Sequence, residues 1–305
     1  MTAPDAIPDA TAICQLVLPE CGQLYAQIRA NAPFAKKVVG EADTHKGKTV
    51  IICGAGTSLA AHVHDLPPAD EIWGCNSALP YLMREGVKAT HGFCIDQNDM
   101  MLNDWKDTFD VGYYLASSAH PRLVKHLLDA GRDVTFFHSY LGVAEPEGWE
   151  TEKEGKSYEM ALYTDGSLFQ TSVMVGYGLN SVPRAMCLAL HMGFDHVLVY
   201  GADCAAKPDG LPMPQYGTPE YAEWTRGLQF YASGEWCSDQ ATMAEAVIDG
   251  RRWITRGDLV ISAVHLVDME RKYPGRVELR GDTLPVVLRD KDEDFMGAMP
   301  RLSGV

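Results

Sequence analysis

Five apolar runs in the sequence each end in a short cluster of residues able to do chemistry. VIIC (50–53) leads into Gly54-Ala55-Gly56-Thr57-Ser58, and EIWGC (71–75) into Asn76-Ser77. ATHGFCI (89–95) leads into Asp96-Gln97-Asn98-Asp99, VGYYLA (111–116) into Ser117-Ser118, and HVLVY (196–200) into Gly201-Ala202-Asp203. Glycines at a strand end let backbone N–H groups approach an anion, with the start of a helix behind them. Thr57 and Ser58 add hydroxyl donors and suit the cap of that helix. Asn76 can bond a base or ribose, or cap the helix that follows it. Asp96 and Asp203 are poor packing choices after apolar strands; each suits a ligand, a metal, or the N–H groups of the next loop. Two aspartates on one sheet edge could hold Mg²⁺ between phosphates. The stretch GAGTSL has neither the dinucleotide-loop spacing nor the lysine of a P-loop. On spacing alone it is either a phosphate site or a tight corner.

NSVPRAMCLALHMGF (180–194) supplies a second helix start. Asn180 or Ser181 caps it, Pro183 suits its first turn, and Gly176 and Gly178 loosen the chain before it. Met186, Leu188, Ala189 and Met192 read as core. The ten histidines show no metal-ligand spacing. His62 and His64 fit neither one helix face nor a zinc hairpin, and His265 falls within a helical pattern. With no G-x-S-x-G elbow, no H-E-x-x-H and no Cys/His nucleophile signature, hydrolase chemistry has little support.

The elements that must position these clusters follow from the same runs. Strands are expected at 48–53, 71–75, 89–95, 111–116, 134–138, 196–200 and 276–279. Helices are expected at 77–84, 121–129, 182–192 and 259–271. This alternation, with strands apolar on both faces, predicts an α/β fold: a doubly wound, mostly parallel, Rossmann-like sheet. Ligands of such sheets gather at the carboxyl ends of the strands, where all the clusters lie. Residues 1–46 read as an N-terminal helical extension, 47–290 as the nucleotide-binding domain, and 291–305 as a flexible tail. Polar residues 140–168 and the Pro-, Gly- and aromatic-rich 205–238 read as inserted loops or a small lid subdomain.

The chain has 305 residues, 46% of them hydrophobic and 22% charged, which is ordinary for a soluble globular protein. A net charge of −15 with no basic stripe argues against duplex nucleic acid and anionic membranes as partners. Eight cysteines without a C-x-x-C pair suit a reduced, cytoplasmic protein. The opening MTAPDAIPDATAIC has no secretory-signal pattern. No apolar run is long enough to span a membrane, and a homo-oligomer is compatible with the composition.

VIICGAGTSL, EIWGCNSALPYLMREGVKATHGFCID and NSVPRAMCLALHMGFDHVLVYGADCA, taken in order, resemble one family. It is the domain of unknown function 115 group, also called 6-hydroxymethylpterin diphosphokinase-like, which includes motility-associated factors. The same outline is similar to that of the family 42 sialyltransferases, which use a CMP-sugar. The resemblance, over roughly 48–285, implies that Gly54, Gly56, Thr57 and Ser58 hold phosphate. It implies that Asn76 and Ser181 contact the nucleotide, that Gly201 and Asp203 line the same cleft, and that Asp96 sits beside it. The sialyltransferases carry a histidine base in a His-Ser pair. Here Thr255-Arg256-Gly257 stands in its place, and the candidate bases are Asp96, Asp203 or, behind them, His138. The implied function is a nucleotide-dependent transferase, a glycosyltransferase using a CMP-sugar or another nucleotide-sugar donor on an unidentified acceptor. The alternatives are an ATP diphosphokinase with Mg²⁺ held by Asp96 and Asp203, and a non-catalytic nucleotide-binding assembly protein.

Overall fold

The computed structural model describes residues 21–139, 148, 150, 154–164, 169, 174–175, 179–206, 218–228, 230–232, 243–248 and 250–291. Gly176, Gly178, the tail beyond 291 and much of 140–168 and 205–238 lie outside the described residues. The main sheet has seven parallel strands: β1 (Thr49–Cys53), β2 (Glu71–Cys75), β3 (His91–Cys94), β4 (Gly112–Ala116), β5 (Asp133–Phe137), β6 (His196–Tyr200) and β9 (Val277–Leu279). Their order is β5-β4-β3-β2-β1-β6-β9.

β1 shows why these runs make strands. Val50 and Ile52 enter the core on one face of the sheet, Ile51 and Cys53 the core on the other, and all four are fully buried. The second face is covered by α1 (Cys21–Asn31), α2 (Ala78–Arg84), α3 (Met101–Asp104) and α4 (Pro121–Asp129). The first is covered by α6 (Ser181–Met192), α8 (Gly257–Lys272) and α9 (Leu284–Arg289). α6 buries Ala185, Met186, Leu188, Ala189 and Met192, as its pattern predicts. Each of the large ones contributes roughly 1.5–3 kcal/mol through apolar burial.

The chain lays β1 to β5 in one direction, then returns through α6 to place β6 on the other side of β1. The strand order therefore reverses between β1 and β6, which is the doubly wound topology the alternation predicts. A short α5 (Tyr158–Thr164) lies in the β5–α6 connection.

An antiparallel hairpin joins β7 (Met243–Ile248) to β8 (Arg251–Arg256). Ala206 pairs with Ile254 of this hairpin. With α7 (Pro219–Gly227), it closes a small core of Ala206, Tyr221, Leu228, Phe230, Met243 and Ile254. The hairpin is not among the elements expected from the sequence, although the Asp249-Gly250 dipeptide between strand-like runs is a turn signal. A second difference follows Gly56. The expected helix is a five-residue 3-10 turn, Thr57–Ala61.

Candidate functional site

The loops that leave β1 and β6 touch at the point where strand order reverses. The Gly54 N–H donates to the Tyr200 carbonyl and the Gly56 N–H to the Gly201 carbonyl, each at 2.8 Å. A Cβ on Gly56 would lie 2.4 Å from Cγ of Asp203, and one on Gly54 would lie 2.5 Å from the Gly201 oxygen. Gly201 is in the left-handed region at φ +64°. These glycines are therefore needed for the approach of one loop to the other. Asp203, 5% exposed, accepts from Thr57 Oγ1 (2.9 Å), from the Ser58 N–H (2.8 Å) and from Ser58 Oγ. Thr57 and Ser58 do not cap a helix as expected, because their hydroxyls are turned to this carboxylate and the turn they open is not an α-helix.

A second group forms where β2, β3 and α6 meet. Asn76 is left-handed at φ +50°, a conformation asparagine tolerates better than most residues. Its N–H donates to the Phe93 carbonyl (3.0 Å), and its own carbonyl accepts from Trp105 Nε1 (3.0 Å). Its side chain links two other predicted residues. Ser181 Oγ donates to Asn76 Oδ1, and Asn76 Nδ2 donates to Asp96 Oδ2, both at 3.0 Å. The other oxygen of Asp96 accepts from Asn98 Nδ2 at 3.2 Å. Burial raises the Asp96 carboxyl above the usual aspartate range, and the Asn76 hydrogen bond opposes that rise. The cap of α6 is Asn180, which accepts from the Val182 N–H. Val182 joins the two groups, since its Cγ2 would lie 3.0 Å from a Cβ on Gly54.

The sequence matches the model of the 6-hydroxymethylpterin diphosphokinase MptE-like family over residues 23–209. The chain belongs to that family. The matched span runs from α1 to just beyond Asp203 and includes both hydrogen-bonded groups. Among solved structures, the chain is similar to the MAf glycosyltransferase from Magnetospirillum magneticum AMB-1, with a TM-score of 0.51 and 11% identity. That likeness covers 90% of this chain and 42% of the other, so the chain spans less than half the length of that structure. At this identity it establishes a shared fold. No curated protein matches the chain.

Several residues of this MptE-like chain take places that the sequence did not indicate. Arg184, in the first turn of α6, is buried and donates to Ser139 Oγ. A lone arginine in an otherwise apolar helix was the available signal. Thr255, in the Thr255-Arg256-Gly257 stretch, is fully buried and donates to the Cys204 carbonyl at 2.6 Å. Residues 231 and 232 meet the glycine loop: the Ala232 N–H donates to the Ala55 carbonyl at 2.8 Å, and Tyr231 pairs with Gly56.

His138 does not suit the role of base. It is fully buried against Phe169, and burial lowers its pKa to about 3. His265 is buried in α8, as its pattern suggested.

Among the described residues, no group of three or more His, Cys, Asp or Glu side chains converges as a metal site. Asp203 spends both oxygens on Thr57 and Ser58, so the donor set does not fit a Mg²⁺ ion shared between Asp96 and Asp203. Cys53, Cys75, Cys94, Cys187 and Cys204 are free thiols. No described helix is long and apolar enough to cross a membrane. A cavity of about 380 Å³, lined by Glu270, Arg271 and Arg289 among others, lies beside the start of β9 and shares no residue with either group.

Proposed function

We propose that this protein is a nucleotide-dependent transferase whose site is the carboxyl edge of β1, β2, β3 and β6. The leading reading is glycosyl transfer from a CMP-sugar or another nucleotide-sugar. The observation that carries it is the Ser181–Asn76–Asp96 chain of hydrogen bonds, held by a left-handed asparagine at the strand ends. Sparsely populated backbone conformations persist where the surroundings over-determine them, and they cluster at functional sites.

In this reading Asn76 and Ser181 contact the nucleotide. The Gly54–Ser58 loop, with Gly201 and Asp203 behind it, forms the floor beneath the phosphate. The positive end of α6 and the buried Arg184 charge favour a departing phosphate. The acceptor hydroxyl forms a bond to the anomeric carbon of the sugar. The sugar–phosphate bond breaks, and its electron pair leaves with the nucleotide. The hydroxyl proton passes to Asp96, whose raised pKa brings it nearer the range useful for a general base. Asp203 holds the glycine loop in shape. The insertion that pairs with Ala55 and Gly56 lies close enough to select the acceptor. The free thiols are in keeping with a reducing, cytoplasmic setting.

A second reading is diphosphoryl transfer from ATP, favoured by the diphosphokinase for which the family is named. Thermal melting with CMP, CDP, UDP, GDP, ATP and nucleotide-sugars, each with and without Mg²⁺, separates the two. A ligand that binds only the folded state raises the melting temperature by mass action. Glycosyl transfer predicts stabilisation by a cytidine nucleotide or a nucleotide-sugar without metal, and its loss in Ser181→Ala. Stabilisation by ATP only with Mg²⁺ selects the diphosphokinase. No shift with any of them would sink both.

A further inference from the structure

α1 and the loops after β3 and β4 are joined by more than apolar packing. Gln27 and Asn31 stand four residues apart on α1, and so on one face of the helix. Gln27 Nε2 donates to the Gln97 carbonyl at 2.8 Å. Asn31 Nδ2 donates to the carbonyls of Ser117 (2.9 Å) and Ala119 (2.7 Å). The two loops are tied to each other in turn, because the His120 N–H donates to the Asp96 carbonyl at 3.1 Å. Gln27 is 5% exposed and Asn31 0%. Their side-chain oxygens are buried and accept no hydrogen bond among the described residues. A buried acceptor without a donor opposes folding, and a methionine or leucine of similar shape would not bring one. Packing alone therefore does not call for amides here. What the amides do, and apolar side chains would not, is fix the carbonyls of residues 97, 117 and 119 in space.

We propose that Gln27 and Asn31 are positioning residues that clamp α1 onto these two loops and so hold Asp96 in the cleft. The peptide units on both sides of Asp96 are then anchored. Its N–H faces Cys94 Sγ, its carbonyl accepts from His120, and the next carbonyl accepts from Gln27. Asn76 and Asn98 need only aim the carboxylate. α1 becomes one wall of the site, and the family match, which begins at residue 23, starts inside this helix. The inference rests on the transferase reading only for what Asp96 does once it is held.

The test is a ¹³C NMR titration of aspartate Cγ in the full chain, with the Asp96 signal assigned from Asp96→Asn. The groups that bear on this titration are Cys94 beneath Asp96, and Asp99 paired with Arg122. His120 follows in the β4–α4 loop, with its ring accepting from the Arg122 N–H, and Asp104 lies within electrostatic reach of Cys94. α1 contributes Arg29, which lies over Tyr158, and α6 contributes Arg184, bonded to Ser139.

In the native chain the midpoint should lie above the ordinary aspartate range, where burial places it. Gln27→Met keeps the packing and releases the Gln97 carbonyl, which is only partly buried and can turn to water. As the loop loosens and water enters, the midpoint should fall towards the ordinary aspartate range, because burial is what raises it. The melting temperature should change little, because the freed Gln97 carbonyl reaches water and methionine also removes the unsatisfied Gln27 oxygen. Asn31→Leu acts on the other loop and should move the midpoint in the same direction; if it does not fold, Gln27→Met decides alone. An unmoved midpoint in Gln27→Met, or one that falls only together with the melting temperature, overturns the proposal. No nucleotide or turnover enters the measurement, so its failure is distinct from failure of the transferase reading.

Discussion

At the scale of single residues, Gly56 shows how a motif can be visible in the sequence for one reason and required by the structure for another. The GAGTSL stretch points to a turn that needs glycine. The structure supplies a reason that requires no ligand: the β6 loop, with Asp203 and the Gly201 carbonyl, fills the space a side chain would take. From the sequence, Gly56→Val should do little if the turn is only a corner. The contacts predict the opposite. The new side chain must displace Asp203 from Thr57 and Ser58, and overpacking of this kind costs roughly 1–3 kcal/mol, with more added if the buried carboxylate loses its donors. Urea unfolding should show that loss without any ligand present. A native midpoint in Gly56→Val would mean that the two loops separate easily. The same reasoning applies to Asp203, whose hydrogen bonds to Thr57 and Ser58 could not be read from the sequence around it. Its strand-end position is written locally, but its partners lie about 145 residues earlier in the chain.

At the scale of elements, the parallel strands were readable because each is an unbroken apolar run with helical segments between. The β7–β8 hairpin was not, because it lies next to a stretch whose composition resembles an irregular insertion. α6 was readable at both ends, with Asn180 before it and Gly193 after it. Its start also carries Ser181, so the cap bears on the site. Asn180→Ala removes the acceptor for the Val182 N–H. That loss should cost about 1 kcal/mol of stability, with ~0.5–2 the usual span for such caps. Because Val182 packs towards Gly54 and Ser181 bonds to Asn76, fraying of this turn should also weaken the nucleotide binding proposed for this site. Asn180→Asp should restore both. Equilibrium unfolding and nucleotide titration of the two variants test this, and a destabilised Asn180→Ala that binds as tightly as the native chain would detach the first turn of α6 from the site.

At the scale of the whole molecule, the charged balance of the sequence gives no hint of how stability depends on pH, because that depends on which groups are buried. His138 is held neutral by burial with its pKa lowered to about 3, and His45 and His265 are lowered in the same way, chiefly by desolvation. A histidine whose folded pKa lies below its unfolded value of 6.5 binds fewer protons folded than unfolded. Its contribution is complete above pH 6.5 and is lost as the pH falls from there towards the folded value. Asp96 works in the other direction. Its raised carboxyl takes up a proton earlier in the folded chain, which favours folding as the pH falls towards its unfolded value of 3.8. Glu71 is lowered despite its burial, through hydrogen bonds from His91 and Trp73, so its contribution fades only below about pH 4.5. Between pH 6.5 and 4.5 the histidines therefore dominate. Stability should decline there by an amount on the order of a few kcal/mol, because each tenfold difference in proton affinity between the folded and unfolded chain is worth about 1.4 kcal/mol. His138→Phe keeps a flat ring beside Phe169 and removes the most strongly perturbed of these histidines. Its stability measured by urea unfolding should fall less steeply over that range than that of the native chain. If the two curves ran parallel, the burial of His138 would not be what limits this protein in acid, and the decline would have to come from His45, where the segment before β1 meets Glu71, or from His265 in α8.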